Sequence, residues 1–171
     1  KKGEPGTLVS KLTPIDLLLN ETRKEEESAQ LDAVTHLGDM HDPRIVPALT
    51  VLLSRTASEQ VVEATVEALG KQRDPRAIPS LRHAAQQNYD DFLKYSIARS
   101  QLALNDSQGF ETLIKILKDD EGGFARQQAN ELLEAKASRK FGYHPDQPVA
   151  ANRAALEKIE AWWKTERGRM K

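Results

Sequence analysis

The stretch that decides the fold is residues 33–49, AVTHLGDMHDPRIVPAL, because it returns 32 residues later as TVEALGKQRDPRAIPSL at residues 65–81. Eight of the 17 aligned positions are identical, and the alignment needs no gap. Two unrelated sequences of ordinary composition would share about one identical position over this length. The chain therefore contains an internal repeat, and its period is typical of stacked helical units.

The shared glycine and aspartate predict two helices joined by a tight turn. Gly38 and Gly70 fall where the first helix of each unit should end, and we expect them in the left-handed conformation that favours glycine. The aspartates that follow, Asp42 and Asp74, are predicted to cap the next helix by accepting hydrogen bonds from its free N–H groups. The proline directly after each aspartate suits the first helical position.

The second helix of each unit is marked by an apolar stripe and by one more proline. Leu49, Leu52 and Leu53 follow the spacing of a buried helix face. Pro47 and Pro79 are predicted to lie one turn inside this helix, where each should remove one hydrogen bond and bend the helix slightly. Each unit is thus predicted to be a helical hairpin.

A third copy of the repeat is degenerate. Asp106 and Leu113 keep the register of the first two copies. Ser107 and Gln108 stand where the repeat has Pro and Arg, and Leu102 stands at the glycine position. The substitutions weaken the turn chemistry but leave the register intact.

The pattern Leu-Gly followed by Asp-Pro-Arg-x-Val/Ile-Pro-x-Leu resembles the HEAT-like repeat first associated with phycobilin lyase subunits, which also occurs in many bacterial proteins. The resemblance implies an all-α fold, a right-handed α-solenoid of about four helical hairpins with atypical end caps. It implies a single domain over residues 1–171. Its predicted parts are an N-terminal cap at 1–26, repeats at 27–56, 58–88 and 90–120, and a degenerate repeat with a C-terminal capping helix at 122–171.

Two interpretations of the N-terminal part remain open. Residues 8–25 fit a lone second-type helix followed by the start of a first-type helix. Alternatively, Thr13 caps a short helix that begins at Pro14, with Asp16 completing a capping box. At the other end, a helix over residues 122–139 is predicted to bury a stripe of Phe124, Ala129, Leu132 and Leu133.

A final helix over about 149–166 is predicted to cover the end of the stack with Leu156, Ile159 and Trp162. The adjacent Trp162 and Trp163 point about 100° apart on a helix, so one narrow stripe cannot bury both. One tryptophan should close the end of the stack while the other lies in the loop around Tyr143. The alternative is an exposed aromatic anchor for a partner.

Composition narrows the functional classes. The chain has 25 basic and 26 acidic residues and a net charge of −1, so it lacks the basic excess of a general nucleic-acid binder. It has no cysteine, which excludes disulfides, cysteine-based zinc sites and a thiol nucleophile. No apolar run predicts membrane insertion, and no signal peptide opens the chain. Both a cytoplasmic and an exported location remain open.

No catalytic, cofactor-binding or metal-binding residues are predicted. None of the four histidines is followed by glutamate, so the His-Glu pairs that bind iron in deoxyhypusine hydroxylase, a HEAT-repeat enzyme, have no counterpart here. Asp42, Asp74 and Asp106 recur with the repeat, which favours a capping role over catalysis. Phosphate-binding glycine loops and the Gly-x-Ser-x-Gly elbow are also missing.

The sequence favours a non-catalytic protein-binding or scaffold module that uses the solenoid surface. The alternative is an enzyme or enzyme subunit of the phycobilin lyase type, acting on a tetrapyrrole–protein substrate. The expected partner is a protein or peptide, with an acidic one favoured, because the face of the second helices opposite the leucine stripe is polar and mildly basic. The candidate partner-binding residues are Arg44, Val51, Arg55, Arg76, His83, Gln87, Gln108, Lys115 and Trp163.

Two points about these candidates stay open in the sequence. The row on the second helices is either a binding surface or only the solvated face of three helices. Arg44 and Arg76 either contact a partner or form salt bridges between repeats, with Asp42 and Asp74 of neighbouring units as the expected partners.

Overall fold

The computed structural model describes residues 11–169, and this stretch of the chain contains helices and no β-strand. Nine α-helices are joined by short turns, with 3₁₀ turns at Pro75–Ala77 and Val149–Asn152. The α-helices are α1 (Pro14–Glu21), α2 (Glu27–Gly38), α3 (Ile45–Arg55), α4 (Glu59–Gln72), α5 (Ile78–Ala84), α6 (Asp91–Ala103), α7 (Gln108–Leu117), α8 (Gly123–Ala137) and α9 (Arg153–Arg169).

The helices stack as an α-solenoid, as the repeat predicts. Helices α2, α4, α6 and α8 pack side by side in chain order. Each of α1, α3, α5 and α7 packs against the helix that follows it, and α3 also contacts α5. The apolar core has two sections, the first running from α1 to α6 and the second from α6 to α9, so α6 joins the two.

The glycine prediction was wrong about conformation. Gly38 is the last residue of α2 and Gly70 lies inside α4, and neither has a positive φ. Both glycines instead allow neighbouring helices to approach closely. A Cβ at Gly70 would lie 2.7 Å from the Ser100 Oγ, and a Cβ at Gly38 would lie 3.3 Å from the Ala68 Cβ. Each glycine therefore meets the residue 30 positions further on, in the next first-type helix.

The third repeat replaces this contact with another. Leu102 stands at the glycine position and is buried. A Cβ at Gly109 would lie 2.7 Å from the Leu102 Cγ, so the backbone of α7 leaves room for the larger side chain. The glycine missing from α6 is thus matched by a glycine on the helix that packs against it.

The aspartate cap is confirmed at Asp74, which caps the 3₁₀ turn Pro75–Ala77. It is wrong at Asp42, because Arg44 is the N-cap of α3, so Asp42 holds the turn before that helix and Pro43 is not its first residue. The Oδ1 atoms of Asp42 and Asp74 each accept the N–H two residues further on, at 2.9 Å. The second proline of each unit lies nearer the helix start than predicted, because Pro47 is the third residue of α3 and Pro79 the second residue of α5. Both prolines lie in a first turn, where N–H groups need no partner within the helix.

At the N-terminus, the structure shows the capping alternative. Thr13 caps α1, and its side chain and backbone exchange hydrogen bonds with Asp16 as in a capping box. The other alternative, a helix from residue 8, begins outside the described residues, and no helix precedes Pro14 from residue 11 onward.

The C-terminal helices are present, but Phe124 and Trp162 are less buried than predicted. In α8, Ala129 and Leu133 are buried as expected, whereas Phe124 is 57% exposed. In α9, Trp163 is 6% exposed and Trp162 is only partly buried, so Trp163 gives the deeper cover. Both indoles contact Phe110, with ring centroids 5.1 and 5.2 Å away. Trp162 also contacts Phe141, in the loop that contains Tyr143, as predicted for the second tryptophan.

The loop between α8 and α9 is tied to the stack by two buried polar side chains. Arg126 donates from Nε to the Tyr143 hydroxyl at 2.9 Å, and that hydroxyl donates to the Leu117 carbonyl at 2.6 Å. The Asn152 Oδ1 accepts the His144 N–H at 2.7 Å. These contacts position α9 on the end of the solenoid.

Candidate partner-binding grooves

A groove of about 650 Å³ lies between α1 and α3, on the layer of second-type helices. Its floor is apolar, because Leu19, Ala48 and Leu52 line it. Val51 stands in the same groove and is 60% exposed, and Leu12 is exposed at the α1 end. The groove therefore offers apolar surface to an incoming side chain.

Three arginines line this groove, and they differ in whether a carboxylate of the chain pairs with them. Arg55 donates to the Thr22 carbonyl at the end of α1, and Arg23 approaches the Asn20 side chain at 3.5 Å. Within residues 11–169, neither Arg23 nor Arg55 forms an ion pair with a carboxylate. Both therefore keep a net positive charge to offer a partner.

The charge of Arg44 is already offset within the chain. Its Nε and Nη2 atoms each donate to Asp42 at 2.9 Å, and its Nη1 donates to Asp16 at 2.7 Å. These contacts hold the Asp42 pKa below its usual value and raise the pKa of the guanidinium. The Asp16 pKa is lowered to about 2, first by hydrogen bonds from Thr13 and then by Arg44.

Arg76 has the equivalent role in the next repeat. It donates from Nη2 to Asp74 at 2.6 Å, and from the same nitrogen to the Pro43 carbonyl at 3.2 Å. That carbonyl is available because Pro47, four residues later, has no N–H to donate to it. The second proline of the motif thus frees an acceptor for the arginine of the next unit.

Arg44 and Arg76 are therefore braces between successive units, in line with one of the two interpretations. Their expected carboxylate partners were wrong. Each arginine pairs with the aspartate of its own unit, two residues before it, and reaches the preceding unit through Asp16 or the Pro43 carbonyl. Because each arginine follows its aspartate by two residues, the same carboxylate accepts the backbone N–H of the arginine and also orients its guanidinium.

The other candidates are divided among two smaller grooves. His83 and Gln87 line a groove of about 460 Å³ between α3 and α5, where their side-chain nitrogens are 3.4 Å apart. Gln87 also borders a groove of about 400 Å³ together with Lys115 on α7. The predicted row is thus a series of grooves, and only the α1/α3 groove combines an exposed aliphatic side chain with unpaired arginines.

Two candidates lie elsewhere. Gln108 begins α7 and lines none of these three grooves. Trp163 is buried against Phe110, so the hypothesis of an exposed aromatic anchor fails for this residue. The physical reason is that the last hairpin needs apolar side chains to cover its face, and Trp163 is the tryptophan that faces it.

The sequence prediction missed Arg82, whose side chain reaches the buried carboxylate of Asp106. Asp106 also accepts the Gln108 N–H at 3.2 Å and so keeps the capping role of its register. The signal was present in the sequence: the third copy keeps its aspartate and lacks the arginine two residues later. Because Asp106 lacks the arginine two residues later, a cation from another part of the chain is expected to pair with it.

Among residues 11–169 no three His, Asp or Glu side chains are placed to hold a metal ion. Over the same residues, no helix has the length and apolar character to cross a membrane. The α1/α3 groove offers shape, aliphatic surface and positive charge.

The fold is an α-solenoid with grooves along the layer formed by α1, α3, α5 and α7. A family model of HEAT repeats matches residues 15–102, just over half of the chain. The chain therefore belongs to the HEAT-repeat family. No curated protein matches it in sequence.

Proposed function

We propose that this protein is a non-catalytic binding or scaffold module that holds an acidic segment of a partner protein in the groove between α1 and α3. HEAT repeats are commonly protein-interaction or scaffold modules, which supports the general class. The observation that carries the proposal is the pairing of exposed Val51 with Arg23 and Arg55 around one apolar floor.

The chemistry of the groove selects the partner. An aliphatic or aromatic side chain of the partner would cover Val51 and the floor beside Ala48, while its carboxylates would pair with Arg23 and Arg55. Opposite charges at the rim favour the correct partner and speed association more than they add affinity. Arg44 contributes less, since Asp16 and Asp42 already hold its guanidinium.

The test uses peptides selected from a display library of random 16-residue sequences on the whole protein. We expect enriched peptides to be acidic with one or two large apolar residues. Their affinity, measured by fluorescence anisotropy, should fall at least tenfold in Val51→Asp and in Arg55→Glu, and should weaken as salt is raised.

The matched control is Lys158→Glu, the same reversal of charge at an exposed position on α9. This variant should bind like the wild type, and all variants should melt at similar temperatures. Peptides that are not acidic, or that bind Val51→Asp and Arg55→Glu as well as the wild type, would overturn the proposal.

A further inference from the structure

Two exposed phenylalanines stand at equivalent places of successive repeats. Phe92 is the second residue of α6 and is 50% exposed, and Phe124 is the second residue of α8 and is 57% exposed. They are 32 residues apart, which is the repeat period. The same register holds Gln60 and Ser28 in the earlier units, so an aromatic side chain here is not needed to build a repeat.

The beginnings of α6 and α8 are held against each other. A Cβ at Gly122 would lie 2.9 Å from the Asp91 Oδ2, so the backbone just before α8 touches the first side chain of α6. Since α6 and α8 pack side by side in the same register, both phenyl rings stand on the same edge of the solenoid. We call Phe92 and Phe124, with the turns before them, the phenylalanine edge.

Hydrogen bonds fix the turns of this edge in place. The Asp90 Oδ1 accepts the Leu93 N–H at 2.9 Å and caps α6. The Asp120 Oδ1 accepts the Val149 N–H at 2.7 Å, which ties the turn before α8 to the C-terminal region of the chain. Because the backbone is already fixed, binding to this aromatic pair would not lose free energy to the ordering of loops, a loss that weakens many interfaces.

The charge around the two rings is acidic. Carboxylates flank both helix starts. Two of them have a cation nearby, since Lys94 lies 3.2 Å from Asp91 and the buried Arg126 lies 3.9 Å from Asp120. The carboxylates of the two turns are Asp90, Asp91, Asp119, Asp120 and Glu121. This is the reverse of the α1/α3 groove, whose apolar floor is lined by arginines.

We infer that the phenylalanine edge is a second docking surface, which binds a basic segment of a partner protein through apolar side chains that cover Phe92 and Phe124. Aromatic residues are the type most enriched at the energetic centre of interfaces, and an acidic surround selects a segment rich in Lys or Arg. The inference is independent of the proposed function, because the edge shares no residue with the α1/α3 groove.

The test is a second selection from the random-peptide library, on the Val51→Asp protein so that groove-dependent peptides are not enriched. Peptides that bind Phe92→Ser/Phe124→Ser are removed by counter-selection. We expect the remaining sequences to be basic and to carry large apolar residues. The affinity measured for the wild type should fall at least tenfold in Phe92→Ser/Phe124→Ser and should also fall in Glu121→Lys, a charge reversal that keeps the Asp120 hydrogen bond to Val149.

Two controls keep the result interpretable. Both phenylalanines are exposed, so Phe92→Ser/Phe124→Ser should melt within a few degrees of the wild type, and peptides from the groove selection should bind it unchanged. A selection that yields no phenylalanine-dependent peptide, or yields acidic ones, would overturn the inference. Sedimentation that shows a dimer lost in the double variant would also overturn it, since a second copy would then occupy the edge.

Discussion

The guanidinium of Arg82 lies across the carboxylate of Asp106 in two parallel hydrogen bonds, from Nε at 3.0 Å and from Nη2 at 2.9 Å. The Asp106 side chain is fully buried, and Gln101 approaches it at 3.3 Å from within the same hairpin. Arg82 belongs to α5 and Asp106 precedes α7, so this pair joins the second repeat to the degenerate third.

Replacing Arg82 should destabilise the protein more than replacing an arginine of an exposed pair. In Arg82→Ala the buried Asp106 carboxylate loses its cation and two hydrogen bonds. We expect a loss of about 1–2 kcal/mol in the free energy of unfolding, at the lower end for a charged hydrogen bond because Arg82 is half-exposed. Urea unfolding measures this, with Arg99→Ala as the control, since Arg99 pairs with Glu67 at the surface. Equal losses in the two variants would contradict the role of the buried carboxylate.

Gly70→Ala should destabilise the protein although alanine is the better helix former. Inside an exposed helix this change gains about 0.5–1 kcal/mol. Here the new Cβ would lie 2.9 Å from the Ser100 Cβ and 3.1 Å from its Cα, so α4 and α6 must move apart. We expect a net loss of about 1–3 kcal/mol, as for an overpacked core.

The matched control for this change is Gly168→Ala in α9, where a Cβ would meet nothing within 4 Å. It should be neutral or slightly stabilising in the same thermal and urea unfolding experiments. A Gly70→Ala protein as stable as the wild type would show that the close approach of the two helices is not required.

The hydrogen bonds that Asp16 accepts from Thr13 and from Arg44 predict a dependence of stability on pH. The Asp16 pKa is lowered from 3.8 to about 2, so its contribution is present above about pH 4 and is lost as the pH falls towards 2. The melting temperature of Asp16→Asn should therefore lie below that of the wild type at neutral pH. The difference should close between pH 4 and 2, and a constant difference over this range would contradict the assignment.

The two tryptophans should differ in their contribution to stability. Trp163 is buried against Phe110, so Trp163→Ala should cost about 3–5 kcal/mol. Trp162→Ala should cost clearly less, because this side chain is only partly buried. Thermal unfolding of both variants measures the order, and a larger loss for Trp162 would reverse the assignment of the end cover.

Short-range signals account for the features of the fold that the sequence predicted well. The 32-residue period is found by comparing the sequence with itself, and the Asp74 cap depends on neighbours within a few residues, so both can be recognised without knowing the packing. The HEAT-repeat fold follows from them, since hairpins with one apolar face must stack to bury it. The Thr13 capping box was one of two alternatives that the sequence left open.

The candidate site was predicted less well. The sequence placed Arg44, Val51 and Arg55 on one face of α3, and all three line the α1/α3 groove. It did not show that Arg44 is held by Asp16, nor that Arg23 joins the groove, because those contacts lie between helices whose relative position is set by packing. The phenylalanine edge was hidden for the same reason, since Phe124 fits an apolar stripe in sequence and is exposed in the fold.

The sequence by itself determined the period, the helical hairpins and the family, because repetition and the spacing of apolar residues can be recognised along the chain without the packing. Only the tertiary structure decided what each repeated residue does. Gly70 is a close contact with Ser100 and not a left-handed cap, and the arginine lost at Gln108 is replaced by Arg82 from the preceding repeat. These roles depend on contacts between residues 24 to 30 positions apart in the chain, which form only when the helices have stacked.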